Sequence, residues 1–365
     1  RTIVMTERYL GSIISPSPVE PSSNDADATA SGVWHLHDAL IFGQAGDWPD
    51  YLNKLPFAAT AIIFIGSNPT QGNPIDFYNI ATAGNAKDFG DGVQRHKAPC
   101  GGASNSTRLL IAGNSATTPG DRENISYITF ATKGDAVDFG NLSLGRASCA
   151  AGAGNGRGIF AGGENASGRN DTIDYVTIAS TGNATDFGNL SGNNMSQANC
   201  GSTTRLCIGG GTPSGSVYSN EIQYITISST GNTTDFGDLT LARANPSSGG
   251  SSTRGLWAMG FDGGSGTAVN NVIDYVTIAS TGNATDFGDT TQSRYLAGGA
   301  TSPTRATFAG GFAYGNDAGG AAINETVNII DAVTIDSTGN ATDFGDLTTN
   351  NYASGGGSNS HGGIS

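Results

Sequence analysis

The chain has 365 residues, 17 Lys plus Arg against 31 Asp plus Glu, a net charge of −14 at pH 7 and 36% hydrophobic residues. So few cations on so acidic a chain exclude the clustered basic face that displaces counterions from nucleic acid. No run of eighteen apolar residues and no signal-peptide core in the first twenty positions predict neither a membrane span nor a secretion signal.

Residues 1–49 differ in kind from the rest. Ser15-Pro-Ser-Pro-Val-Glu-Pro-Ser-Ser-Asn24 is a Pro- and Ser-rich linker, and no repeat begins before about residue 58. The segment is predicted to be an extended attachment arm, with Trp34 and Trp48 as its contact residues. It opens on Arg1 rather than Met, which points to a processed or partial terminus. His35 and His37 would share one face of an extended strand, yet no Cys or carboxylate cluster completes a ligand set, so no metal site is expected.

From residue 50 to 349 one phrase returns six times, most fully as Ile173 to Leu190, with the Phe of its Asp-Phe-Gly core at 89, 139, 187, 236, 287 and 344. Intervals of 48 to 57 residues fall in the range of propellers and solenoids. Twelve positions before each Phe stands Phe77, Tyr127, Tyr175, Tyr224 or Tyr275; Ala332 is the exception. Asp174-Tyr175-Val176-Thr177-Ile178 alternates polar and apolar residues and predicts a half-buried strand 3. Gly182-Asn183 suits a two-residue hairpin turn, and Thr185-Asp186-Phe187 would return as strand 4.

Upstream, Arg157-Gly-Ile-Phe-Ala-Gly-Gly163 and Arg305-Ala-Thr-Phe-Ala-Gly-Gly311 predict strand 2. Eleven residues before each such arginine sits Lys97, Arg146, Asn194, Arg243 or Arg294, opening a small-residue strand 1 such as Ala147 to Gly152. Small side chains belong on strands that crowd a central channel. The predicted fold is therefore all-β, a six-bladed propeller behind an N-terminal arm. Ala61 to Gly66 reads as strand 2 with no strand 1 before it, while residues 350–365 read as a strand 1 with nothing after it. A C-terminal strand closing the ring would hide two sheet edges; the alternative is that residues 50–60 fill that slot. A basic residue opening strand 1, a double glycine closing strand 2, a Tyr on strand 3 and an aromatic on strand 4 resemble the kelch repeat over roughly residues 60–349. Phe stands where kelch blades usually carry Trp.

Several motifs have a structural explanation. Asp-Phe-Gly resembles the kinase metal-binding signature, but six copies without a catalytic loop exclude that chemistry; its Asp serves turn backbone and its Phe the space between blades. The sequons at Asn183, Asn232, Asn283 and Asn340 fall in the predicted turn and are read as turn chemistry rather than glycosylation sites. Cys100, Cys149, Cys200 and Cys207 are expected to pack as thiols, because free cysteine behaves as a small hydrophobe. Most Asp residues belong to the repeat, so no catalytic carboxylate pair stands out, and neither enzyme activity nor a cofactor is expected. Lys97, Arg146, Arg243 and Arg294 would ring the channel mouth, either gripping an anionic ligand or satisfying backbone carbonyls.

In a four-stranded meander the 2–3 loops and blade-to-blade links project from one face, and these loops vary from copy to copy. Binding is expected there, as on loops of rigid frames generally. Phe312 and Tyr314 on the longest loop, with Trp257 in the neighbouring blade, form a candidate stacking surface for a sugar. The phrase Ala30-Ser-Gly-Val-Trp-His-Leu-His-Asp-Ala-Leu, ending at Gly46-Asp-Trp-Pro49, and repeats such as Ser-Thr-Gly-Asn-Ala-Thr-Asp-Phe-Gly resemble segments of tail-fibre-like virion proteins of bacteriophages. That resemblance implies a virion component assembled in the host cytoplasm, tethered to other virion proteins by its arm, with a propeller that meets a host-surface glycan or protein. The alternatives are an intracellular kelch-type adaptor and a carbohydrate-active enzyme.

Overall fold

The computed structural model describes residues 59–64, 66, 73–94, 101–114, 122–263, 269–316, 322–352 and 355–361. The predicted arm, with Trp34, His35, His37 and Trp48, lies outside the described residues, as do Lys97 and Cys100. Six antiparallel sheets form a six-bladed β-propeller, as the fifty-residue period predicts. Blade 3 shows the plan, with strand 1 at Ala150–Gly154, strand 2 at Arg157–Ala161, strand 3 at Thr172–Thr177 and strand 4 at Thr185–Asn189. Blade 1 combines Thr60–Phe64, Pro74–Asn79 and Lys87–Asp91 with an innermost strand from the other end of the chain, Gly355–Ser358, paired antiparallel to Thr60–Phe64. Among the described residues no helix is long and apolar enough to cross a membrane.

Strand 1 of every blade lines a central cavity of about 150 Å³. The crowding there is backbone against backbone: a Cβ at Gly356 would stand 2.7 Å from the carbonyl oxygen of Gly299 in the adjacent blade. Ser248 Oγ donates to Asn199 O at 2.6 Å and Ser104 Oγ to Ser358 O at 2.7 Å, joining neighbouring inner strands directly. The same convergence corrects the reading of the cysteines as four thiols. Cys149 is disulfide-bonded, whereas Cys200 and Cys207 are free. Equivalent positions of adjacent inner strands meet at the axis, as Gly101 N donating to Cys149 O at 3.3 Å shows, so equivalence along the repeat brings groups together there.

The link from strand 3 to strand 4 also departs from expectation. Strand 3 of blade 3 turns at once, with Ser180 N donating to Thr177 O, and Tyr175 pairs with Thr185 across a connection far longer than a two-residue hairpin. Gly182, Asn183 and Ala184 reach instead to the preceding blade. Gly182 N donates to Phe139 O at 2.8 Å, Ala184 N to Asn141 O at 2.8 Å, and Asn141 N to Asn183 Oδ1 at 3.1 Å. This three-bond clamp recurs at all six junctions. At the closing junction Gly84 and Ala86 of blade 1 donate to Phe344 and Asp346 of blade 6, and Asp346 N donates to Asn85 Oδ1. The sequon asparagines therefore spend their side chains on the neighbouring blade.

Strand 4 carries a bulge opposite Ile173 and Asp174, which turns Phe187 inward while Thr185 and Asp186 stay exposed. Phe187 meets Tyr175 edge to face at 5.9 Å, a favoured aromatic geometry. In blade 6, where Ala332 replaces the tyrosine, Tyr78 of blade 1 supplies the ring at 6.1 Å from Phe344 and bonds Thr307 Oγ1 through its hydroxyl at 2.8 Å. A second inter-blade tie comes from the arginine opening strand 2. Arg157 stacks on Tyr175 at 4.6 Å and donates to Ile227 O of the next blade at 2.7 Å.

The glycine of Asp-Phe-Gly is required by the clamp: a Cβ at Gly188, where φ is +149°, would strike the carbonyl of Gly231. Gly188→Ala is expected to lower stability by at least 1–3 kcal/mol, the usual cost of a disfavoured backbone region, whereas Asn232→Ala, which loses one hydrogen bond, should cost about 1 kcal/mol. Urea denaturation of the two variants measures the difference.

Candidate functional site

The basic residues expected at the channel mouth have other work. Arg146, Arg243 and Arg294 are wholly buried beneath the loop face, each in an ion pair with the strand-3 aspartate of its own blade: Asp174, Asp274 and Asp331. Arg146 Nη1 lies 2.8 Å from Asp174 Oδ2 and also donates to Leu144 O at 3.0 Å, while Nη2 reaches Phe160 O at 3.1 Å. Ser143, from the link out of the preceding blade, donates its hydroxyl to Asp174 Oδ1 at 2.5 Å. Thr240 and Thr291 do the same for Asp274 and Asp331. Burial pulls the Arg243 and Arg294 guanidinium groups below their ordinary value, and the aspartates oppose that shift. These cations fasten strand 1 to strands 2 and 3 and are closed to an external anion.

Blades 1, 2 and 4 depart from the set. Blade 2 has Ser126 at the aspartate position, its hydroxyl donating to Asn124 Oδ1 at 2.7 Å. Blade 4 has the neutral pair Asn194 and Gln223, with Ser191 N donating to Gln223 Oε1 at 2.8 Å. Blade 1 keeps the acid, Asp76, bonded by the Thr348 hydroxyl at 2.7 Å, but Asn351 stands where the arginine would be.

The loop face carries a feature that spans several repeats. Tyr218, Phe261, Tyr295, Phe312 and Tyr352 follow one another with ring centroids 5.5, 5.8, 5.7 and 5.6 Å apart. Neighbouring rings are inclined by 58–73°, and all five are half-buried. They come from the 2–3 loop of blade 4, the end of strand 2 in blade 5 (Arg254–Phe261), the link into blade 6, the strand Phe312–Asn316, and the link back to blade 1. Tyr314 stands two residues after Phe312 on the same strand and so on the same face of it; burial raises the Tyr295 phenol above its ordinary value, and Tyr352 and Tyr314 add to the shift.

Two backbone positions per repeat supply four of these rings, the residue after the side chain that opens strand 1 (Tyr295 after Arg294, Tyr352 after Asn351) and the residue after the glycines that close strand 2 (Phe261 and Phe312); Tyr218 comes from the 2–3 loop itself. They face one another across the loop face. The pairs are Ala147 with Glu164, Met195 with Thr212, Ala244 with Phe261, and Tyr295 with Phe312. The arc exists because those positions turn aromatic only in the later blades. Of the residues expected to bind, Phe312 and Tyr314 belong to it. Trp257 does not: it is wholly buried, with its indole N–H donating to Ala198 O of blade 4 at 3.1 Å.

Among the described residues no three His, Cys, Asp or Glu side chains converge as a metal-binding group. Compared with known protein families and with characterised proteins, the chain matches no family model and no characterised relative.

The departures within the buried set predict opposite behaviours. Asp174→Asn, which strands Arg146, should cost about 3–5 kcal/mol, as removal of one partner of a buried pair does. Asp76 has no such partner, and burial raises its carboxyl above the ordinary 3.8. The folded chain thus holds this proton more tightly than the unfolded one. The contribution of Asp76 to stability falls as pH rises from 3.8 towards the raised value, and the penalty persists above it. Asp76→Asn is expected to remove that pH dependence without a loss of stability at pH 7, as urea denaturation between pH 3 and pH 7 would show.

Proposed function

We propose that this chain is a non-enzymatic binding component of a bacteriophage virion, a tail or fibre appendage in which residues 1–49 attach to a neighbouring virion protein and a kelch-like propeller presents its loop face outward. The observation that carries the reading is the asymmetry of the disc. One face is held by the repeated clamps, whereas the other changes from blade to blade and gathers half-buried aromatic rings into one strip. A contiguous aromatic strip on an otherwise acidic and polar protein is the kind of surface that marks a binding site. The virion assignment is supported by the phrases at Ala30 to Leu40, Gly46 to Pro49 and Ser180 to Gly188, which resemble segments of tail-fibre-like proteins.

No catalytic step is assigned, because the buried carboxylates Asp174, Asp274 and Asp331 are occupied by arginines and Asp76 by Thr348. Mass spectrometry of purified virions is expected to detect the chain at structural abundance. Its absence from particles, with a soluble monomer in the host extract, would overturn the proposal in favour of an intracellular adaptor. Glycan cleavage by the purified chain would overturn it in favour of an enzyme.

A further inference from the structure

We infer that the arc from Tyr218 to Tyr352 binds a neutral polysaccharide laid lengthwise along its five rings. This rests on the reading of the propeller as a binding appendage and names the ligand class of that face.

The chemistry of the strip is mixed. Tyr and Phe alternate along it, and the hydroxyls of Tyr218, Tyr295, Tyr314 and Tyr352 have no hydrogen-bond partner among the described residues. A sugar chain presents apolar C–H faces bordered by hydroxyls. Aromatic rings with free phenol groups meet both parts, the rings by contact and the phenols by donating or accepting hydrogen bonds.

Charge narrows the class further. From residue 206 to residue 365 the chain contains four cations, Arg243, Arg254, Arg294 and Arg305. Arg243 and Arg294 are buried in ion pairs. Arg254 stacks on Tyr275 and donates to Ile335 O, and Arg305 stacks on Phe344 and donates to Ile80 O. Beside the arc stand the exposed Asn324 and Glu325, paired in register with Tyr314 and Ala313. Among the described residues an anionic ligand would find these cations already engaged, as is Arg169 of blade 3 at the Tyr218 end, whose Nη2 donates to Gly215 O at 2.8 Å, and it would meet the Glu325 carboxylate. A neutral one finds acceptors and an amide.

Shape selects a polymer over a protein. The strip is one ring wide and five rings long. Side chains of about 200 Å² each, half-buried, leave a few hundred Å² open, well short of the roughly 800 Å² per partner of a standard protein interface. A glycan chain, itself narrow, needs no broad patch.

Affinity electrophoresis of the full chain tests this, using gels that carry a soluble β-glucan, an α-mannan or a galactan, with polygalacturonate as the anionic control. At least one neutral polysaccharide should retard the protein and polygalacturonate should not. Tyr295→Ala and Phe312→Ala should each weaken the retardation at least tenfold. If either variant fails to fold, Tyr352→Phe, which removes only a hydroxyl, should still weaken it about threefold. The inference is overturned if no neutral polysaccharide retards the chain, if polygalacturonate retards it equally, or if the folded variants behave like the parent. A protein ligand lost on both alanine substitutions would also overturn it. A chain found in virions yet indifferent to neutral glycans removes the ligand class alone; one that binds them yet is missing from particles removes the appendage reading alone.

Discussion

The clamp between blades is the constraint on which the rest of the molecule depends. Each strand 4 would otherwise be an open sheet edge, with unpaired N–H and C=O groups. A Gly-Asn-Ala segment of the following blade, Gly134-Asp135-Ala136 in blade 2 and Gly231-Asn232-Thr233 in blade 4, covers part of that edge with two backbone bonds and one side-chain bond, and does so at every junction, including the one between the last blade and the first. At about 1 kcal/mol for each bond, no single clamp is decisive. Six in a closed ring are mutually dependent, because opening one junction strains the others. The repeated phrase is therefore conserved along the chain for contact between blades as much as for the blade itself.

Closure of the ring has a second source. The strand Gly355–Ser358 pairs with Thr60–Phe64, so one blade is assembled from both ends of the described chain. Inner strands from all six blades then crowd the axis so closely that glycine, alanine, serine and cysteine predominate there, with Asn199 and Thr301 the larger side chains, and Cys149 is disulfide-bonded. Packing at the axis and clamping on one face together fix the disc. The buried arginines add a third fastening beneath the opposite face in blades 3, 5 and 6, and neutral polar side chains stand in part of that set in blades 1, 2 and 4.

A frame so over-determined leaves the loop face free to vary. The residue following each buried cation is anchored by it, so a ring placed there, as at Tyr295, is presented in a fixed position rather than on a mobile tip. This is the physical link between fold and proposed function: rigidity beneath the surface positions aromatic groups above it. The two positions that carry the arc are occupied in earlier blades by Ala147, Glu164, Met195 and Thr212, which shows that the backbone is indifferent to them and that their chemistry is open to specialisation.

Much of this was legible in the sequence. The recurrence of Phe and Tyr twelve residues apart specified strands 3 and 4, because alternation and spacing within one blade are local properties. The small residues of strand 1 announced a crowded axis for the same reason. The edge-to-face contact of Tyr175 with Phe187 in the same blade came only with the structure, since the sequence assigned that Phe to the space between blades. What local pattern did not determine was which copies touch which. Gly182-Asn183 read as a turn because its propensity is that of a turn, yet its partner lies one repeat earlier, at Phe139 and Asn141. Cys149 read as a packed thiol because it stands at a small-residue position of strand 1, where free cysteine behaves as a small hydrophobe. Tyr218, Phe261, Tyr295 and Tyr352 are spread over more than a hundred residues of sequence with no motif to link them, and only the circular arrangement of the blades sets them side by side. Sequence determined the wedge; tertiary structure decided every contact between wedges, because those contacts depend on how the blades are arranged in space.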